Sequence, residues 1–200
     1  MKRLFDLLSA LVGLLFLSPL FLVVAILIKL DSRGPVFFRQ DRMGKAFRPF
    51  LILKFRTMVR DAPNKGGPIT FGEDPRITRI GRFLRKIKID ELPQLINVLK
   101  GEMSIVGPRP EVRRYVELFR EDYEEILTVR PGLTDLASLK YRDEAAILGA
   151  SHDPEAMYVK YILPEKINLA KEYVRRSSLT FDLILIFKTL ATLSGLKVSL

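Results

Sequence analysis

Apolar and polar positions divide the chain into one long uncharged run and a body in which apolar residues are interleaved with cations. Leu7 to Ile28 is a run of 22 residues without a charge. As a helix it measures about 33 Å, enough to cross a hydrocarbon core of about 30 Å, so residues 1–30 are expected to form a membrane helix. Ser18-Pro19 lies in the middle of the run, where Pro removes a backbone donor and kinks the helix. Lys2 and Arg3 precede the run, and Lys29, Asp31 and Arg33 follow it. Cations at both ends favour the same, cytoplasmic side, which a straight span cannot satisfy. A helix that enters, bends at Pro19 and returns satisfies both ends, with Ser18 offering a hydroxyl to a freed backbone group. The residues alone leave spanning and re-entry open. A cleaved signal peptide fits less well, because no small-x-small site follows the run.

The body, residues 31–200, reads as one domain of the α+β class. Val36 to Gln40, a turn over Asp41 to Lys45 containing Gly44, and Phe47 to Met58 predict a β-hairpin. In its second strand Lys54 and Arg56 share a face, either a solvated face or a phosphate-contact surface. Asp61 to Asp74, with Pro63, Gly66, Gly67 and Pro68, reads as an exposed loop. Arg76 to Lys88 carries six cations and no acid, with Ile77, Ile80, Phe83, Leu84 and Ile87 at helical spacing. That pattern predicts a basic amphipathic helix at an anionic membrane surface. Glu111 to Leu127 predicts an acidic helix covering the domain, and Ser178 to Leu196 a helix that is core-packing or interfacial.

Composition narrows the partners. A net charge of +10 points to an anionic ligand, whether lipid headgroup, nucleic acid or phosphorylated small molecule. The absence of Cys excludes disulfides, thiolate metal sites and a Cys nucleophile, and the lone His152 reads as a surface loop residue.

Three local motifs carry candidate chemistry. Pro93 is tolerated only in a first helical turn and Gly101 ends helices, so a short helix is expected from Asp90–Pro93 to Gly101, with Asp90 and Glu91 at its N-terminal end. Alone, the pair also fits a plain helix cap. In Gly107-Pro108-Arg109-Pro110, two prolines fix the backbone around one Arg, and a preorganised guanidinium grips phosphate at smaller entropic cost. Arg130-Pro131-Gly132-Leu133-Thr134 is a turn that again carries an Arg.

Together with Lys54-Phe55-Arg56-Thr57-Met58, Arg85, the run Asp90 to Gly101, Met103-Ser104 and Val106 to Pro110, these motifs resemble the monotopic phosphoglycosyl transferases, the bacterial sugar transferase family. The resemblance runs from the Ser18-Pro19 segment to Asp182. It implies a re-entrant membrane helix broken at Ser18-Pro19, with residues 31–200 as a catalytic domain on the cytoplasmic face of the bacterial inner membrane, assisted by interfacial amphipathic helices. It also implies transfer of a sugar-1-phosphate from a UDP-sugar to polyprenyl (undecaprenyl) phosphate, the first membrane step of a glycoconjugate or polysaccharide. Asp90 resembles the nucleophile, Glu91 the Mg²⁺ ligand, Lys54 and Arg85 active-site cations, and Pro108-Arg109-Pro110 the phosphate or nucleotide contact, with Arg56 and Arg130 as further substrate contacts. Membrane lipid and downstream glycosyltransferases follow as partners, nucleic acid does not, and the chain resembles a minimal catalytic core. Neither the sugar nor the oligomeric state is legible.

Asp135, Ser138 to Arg142 and Ala170 depart from the family pattern, in the part associated with sugar or nucleotide recognition. Two rivals remain: a non-enzymatic membrane anchor that binds anionic lipid or a partner protein through its basic surface, and a tethered nucleic-acid binder. The second is disfavoured by the lack of interleaved exposed aromatics.

Overall fold

The computed structural model describes residues 1–62, 65–67, 70–72 and 74–196. Pro63 and Pro68 of the expected loop lie outside them. The chain is mostly helical, in the order α1 (Lys2–Asp31), β1 (Phe37–Met43), β2 (Pro49–Phe55), α2 (Arg79–Lys86), α3 (Gln94–Lys100), β3 (Ser104–Val106), α4 (Arg113–Leu118), α5 (Arg120–Ile126), β4 (Gly132–Thr134), α6 (Leu136–Lys140), α7 (Glu144–Gly149), α8 (Pro154–Met157), α9 (Leu163–Arg176) and α10 (Leu179–Leu193). Strands β1 and β2 form the expected antiparallel hairpin, with Phe37 opposite Phe55 and Met43 opposite Pro49. A second, parallel pair, β3–β4, was not expected; three-residue strands are too short to show a periodicity.

Among the described residues α1 is the one helix long and apolar enough to cross a membrane. It is assigned as a single helix with Pro19 inside it, rather than as two helices divided at Ser18-Pro19. The local chemistry explains this continuity. Pro19 cannot donate to the carbonyl of Leu15 four residues back, and Ser18 Oγ donates to that carbonyl instead, at 2.9 Å.

The two faces of α1 differ in what they meet. Asp6, Ala10, Val24 and Ile28 are buried, with Leu14, Leu17, Leu20 and Phe21 packed partly between them. This is a helical stripe against the body, so residues 1–30 share core clusters with residues 31–200. The opposite stripe, including Leu8, Leu15, Phe16, Val23, Ile26 and Leu30, is exposed. Both ends of α1 are tied down. At the first, Lys2 Nζ donates to the carbonyl of Val106 at 3.1 Å and pairs with Asp182, while Asp6 accepts from Ser104 Oγ and from the Ile105 amide at 3.1 Å. At the second, Arg56 donates to the Ser32 carbonyl at 2.8 Å and to Ser32 Oγ, and Asp31 accepts from the Ile80 amide at 3.0 Å.

Element boundaries shift where packing overrides the local pattern. β1 runs on to Met43, because Met43 is buried and its amide donates to the carbonyl of Glu111. The turn therefore falls at Gly44–Arg48, with Ala46 and Phe47 at positive φ; the Ala46 amide donates to the carbonyl of Leu127, and Arg120 lies 4.8 Å over the Phe47 ring. α2 is shorter than the pattern suggested. Thr78 caps it, and Arg76 folds back outside it to pair with Asp74 at 2.6 Å. Its apolar stripe divides, Leu84 facing the α1 cluster with Ile80, while Phe83 is 58% exposed. The acidic helix breaks at Phe119 into α4 and α5, whose Tyr115, Val116, Tyr123 and Ile126 fill a core cluster rather than merely cover it. α10 does both things its sequence left open: Asp182 and Leu185 are buried, and Leu179, Leu183, Phe187 and Leu190 form an exposed stripe. His152 is exposed, as expected.

Candidate active site

Four local structures converge on Asp90 and Glu91. β2 presents Lys54. Just past its end Thr57 Oγ1 accepts from Arg85 Nε at 2.8 Å, which orients the last turn of α2. Lys88, in the left-handed region at φ 59°, stops α2 and turns the chain into a 3₁₀ turn over Ile89–Glu91. α3 follows, ending at Gly101 with φ 85°, close to the expected Asp90-to-Gly101 helix.

Two further contacts fix the geometry. Asn97 of α3 is fully buried and behaves like a neighbouring strand: its Oδ1 accepts from the Leu53 amide at 3.0 Å and its Nδ2 donates to the Leu51 carbonyl at 2.8 Å. This sets the height of Lys54 relative to the carboxylates. The Pro108–Pro110 turn is held against β4, with the Gly132 amide donating to the Pro108 carbonyl at 2.9 Å and the Gly107 amide to the Thr134 carbonyl at 3.1 Å. A β-carbon on Gly132 would stand 2.0 Å from the Gly107 nitrogen, so the two expected turns can meet only through glycine. Arg109 projects from this junction.

Glu91 is the hub. Its Oε1 accepts from Lys54 Nζ at 2.7 Å and Arg109 Nη2 at 2.5 Å, and its Oε2 from Arg109 Nη1 at 3.2 Å. Asp90 is 7% exposed, and its Oδ1 is buried with no hydrogen-bond partner. Burial pushes the Asp90 carboxyl up from the usual carboxylate range, with Glu91 adding to the effect, against opposing pulls from Lys54, Arg85 and Lys88. Burial works against the charge of Glu91 too, yet Arg109 and Lys54 outweigh it and hold that carboxyl well below its usual range. Burial lowers Lys54. The outcome is a pair of adjacent carboxyls pushed apart: one firmly ionised between two cations, the other buried, with its Oδ1 unpartnered, and easier to protonate.

The sequence-expected residues therefore divide. Lys54, Arg85, Asp90, Glu91 and Arg109 gather around one point, with Pro108 and Pro110 framing the last. Arg56 and Arg130 do not join them. Arg56 spends its donors on Ser32, the Pro35 carbonyl and the Met58 carbonyl, clamping the end of α1. Arg130 Nε donates to the Gly101 carbonyl at 2.8 Å, and Arg3 to those of Val98 and Leu99, so these two cap α3. Sequence reasoning missed Thr57 and Asn97 as positioning groups and Lys88 as a contributor to the field at Asp90. The signals for Lys88 were its place two residues before Asp90 and its membership of the basic run Arg76 to Lys88.

The departures cluster as well. Asp135 caps α6, accepting from the Ser138 amide at 2.8 Å and from Ser138 Oγ at 2.7 Å, and Ser138 Oγ lies 3.4 Å from Arg109. Asp135 and Ala170 line, with Arg109, Lys166 and Tyr173, a small cavity of about 30 Å³ behind the Arg109 turn.

Among the described residues no group of three or more His, Asp or Glu gathers. A hard cation such as Mg²⁺ needs only one or two carboxylates when substrate phosphates complete its shell. Glu91 beside the orphaned, buried Oδ1 of Asp90 fits that requirement.

The comparisons with known proteins give the family. The family described as bacterial sugar transferase matches residues 1–195. The chain is 40% identical over 197 residues to a UDP-N-acetylgalactosamine-undecaprenyl-phosphate N-acetylgalactosaminephosphotransferase of Aeromonas hydrophila, covering 96% of this chain and 43% of the relative. It is 42% identical over 196 residues to an undecaprenyl-phosphate glucose phosphotransferase of Komagataeibacter xylinus, covering 94% and 35%. With exopolysaccharide production protein ExoY of Sinorhizobium fredii it shares 38% over 204 residues, covering 94% and 83%. The chain thus spans less than half the length of the first two. With the motifs assembled into one site and the match running from α1 into α10, the chain belongs to the bacterial sugar transferase family.

Proposed function

We propose that the protein is a polyprenyl-phosphate phosphoglycosyl transferase working through a covalent intermediate on Asp90. The observation that carries this reading is the buried, unpartnered Oδ1 of Asp90 among Lys54, Arg85 and Lys88. An Asp oxygen attacks the sugar-bearing phosphorus of a UDP-sugar; the new O–P bond forms as the bridging P–O bond breaks, and UMP leaves with the bridging oxygen. An oxygen of polyprenyl phosphate then attacks the same phosphorus, the acyl–O–P bond breaks, and the Asp90 carboxylate is regenerated beside a polyprenyl diphosphate sugar. An aspartyl phosphate keeps the phosphoryl group reactive between the two steps.

Both steps bring anion to anion, and the residues answer this. Lys54 and Arg85 lower the repulsion at Asp90, and Arg109 offers a fork suited to a diphosphate. A bound Mg²⁺, held through Glu91, would supply charge neutralisation of the diphosphate and the leaving UMP. UMP release from a panel of UDP-sugars, with polyprenyl phosphate in nanodiscs, tests the function. At least one sugar is expected to support turnover; none doing so would remove the proposal.

α1 is proposed to enter the cytoplasmic leaflet of the bacterial inner membrane, bend at Pro19 without ceasing to be helical, and return, forming one unit with the catalytic body. Supporting this, both its ends bind the body, through Lys2, Arg3 and Asp6 and through Asp31 and Ser32, while its outward stripe and those of α10 and Phe83 are apolar and exposed. That places the carboxylates at the depth of the lipid phosphate. Cysteines introduced at Met1 and Arg33 are expected to label from the cytoplasmic side only. Labelling from opposite sides would establish a span instead.

A further inference from the structure

Glu91 has both oxygens engaged, and the two cations that engage them are held very differently. Lys54 stands on β2, paired on one side to β1 and on the other to Asn97, and makes one bond to Oε1. Arg109 stands on a turn, reaches both oxygens, and has a side chain 34% exposed against 19% for Lys54 and 15% for Glu91. A divalent cation approaching Glu91 meets a carboxylate already forked by a guanidinium. The same planar fork fits a diphosphate as well as it fits a carboxylate.

Resting on the reading that this site binds a divalent cation and a nucleoside diphosphate, we infer that Arg109 is an exchangeable occupant of Glu91: the divalent cation takes the Glu91 oxygens and the released guanidinium turns to the diphosphate. Off Glu91, Arg109 keeps compensating groups within reach, because Ser138 Oγ lies 3.4 Å from its Nη1 and Asp135 and Glu144 act on it electrostatically. Two consequences follow from linkage. Arg109 competes with the cation when no diphosphate is present, and the two ligands strengthen each other, since each gives one partner of the Arg109–Glu91 pair something better to hold. The pair therefore guards the site against binding cation alone, and Arg109 acts as a positioning and selectivity residue for the joint arrival of both ligands.

The test uses the full chain in nanodiscs, with Mn²⁺ as an electron-paramagnetic probe and UDP as the diphosphate, and reads binding rather than turnover. In the wild type, saturating UDP is expected to tighten Mn²⁺ by about tenfold or more, within the usual range of coupling between sites. Arg109→Gln is expected to bind Mn²⁺ alone about tenfold tighter than the wild type and to lose most of the UDP-dependent gain. Arg109→Lys, which keeps the charge and loses the fork, is expected to fall between the two. Arg85→Gln controls for the loss of a nearby positive charge, and is expected to keep the UDP-dependent gain. The exchange is overturned if neither Arg109 variant binds Mn²⁺ tighter than the wild type, or if Arg85→Gln reproduces the whole effect. A wild type that binds UDP but no Mn²⁺ under any condition would overturn both the exchange and the cation-dependent reading of the site, which separates the two failures.

Discussion

Asp90→Asn is expected to lower turnover by at least about 10³-fold, the scale of losing a nucleophile, while leaving the melting temperature equal to or above that of the wild type. The two halves have one cause. Burial raises the Asp90 carboxyl, so the folded state prefers it protonated. A group shifted in this direction contributes stability below its unfolded value of about 3.9 and loses it as pH rises through the folded value, so near neutrality the ionised Asp90 is a stability cost. Asn removes the charge and that cost with nearly the same shape. Steady-state UMP release and thermal unfolding of the same preparation check both halves. A variant that turned over normally would remove Asp90 from the chemistry, and one that melted well below the wild type would show that the ionised group stabilises the fold.

Lys54→Met is the second large effect, expected to cost about 10²-fold in kcat/KM at neutral pH, the scale of removing one preorganised charge from a phosphoryl-transfer site. Its pH profile is more informative. Attack needs ionised Asp90, so activity rises through the raised Asp90 value on the acid side, and Lys54 is the largest of the pulls that oppose the burial shift. Removing Lys54 is expected to move the acid limb to higher pH. Lys54 itself is lowered by burial, so an alkaline limb below the ordinary lysine range is expected in the wild type and should vanish in the variant. An acid limb unmoved by the substitution would mean that it belongs to a group other than Asp90.

The parts of this molecule legible in its sequence are those specified by neighbours along the chain. The uncharged run became α1, Pro93 and Gly101 framed α3, and the gathering of Asp90, Glu91, Lys54, Arg85 and Arg109 at one place followed from motif order. What escaped depends on distant partners. Nothing local distinguishes Arg56, which clamps Ser32, from Lys54, which reaches Glu91, although both lie on one face of the same segment. Arg130 is expected as a substrate contact by resemblance alone, and only the folded chain shows its Nε on the Gly101 carbonyl at the end of α3. Asp6 and Asp182, buried on the membrane helix α1 and on α10, find partners about a hundred or more residues away in Ser104 and Lys2. Pro19 predicts a kink because it removes a donor, and the compensating hydroxyl of Ser18 on the Leu15 carbonyl shows how the helix continues on both sides of it.

The most direct measurement of the central claim is the mass of the intact chain after rapid quenching from a reaction with an accepted UDP-sugar and Mg²⁺ in the absence of polyprenyl phosphate. The account expects one added sugar phosphate, localised to Asp90, appearing with a stoichiometric burst of UMP and discharged on addition of polyprenyl phosphate. Full-rate product formation with no adduct on the chain at any quench time, or an adduct on another residue, would contradict it.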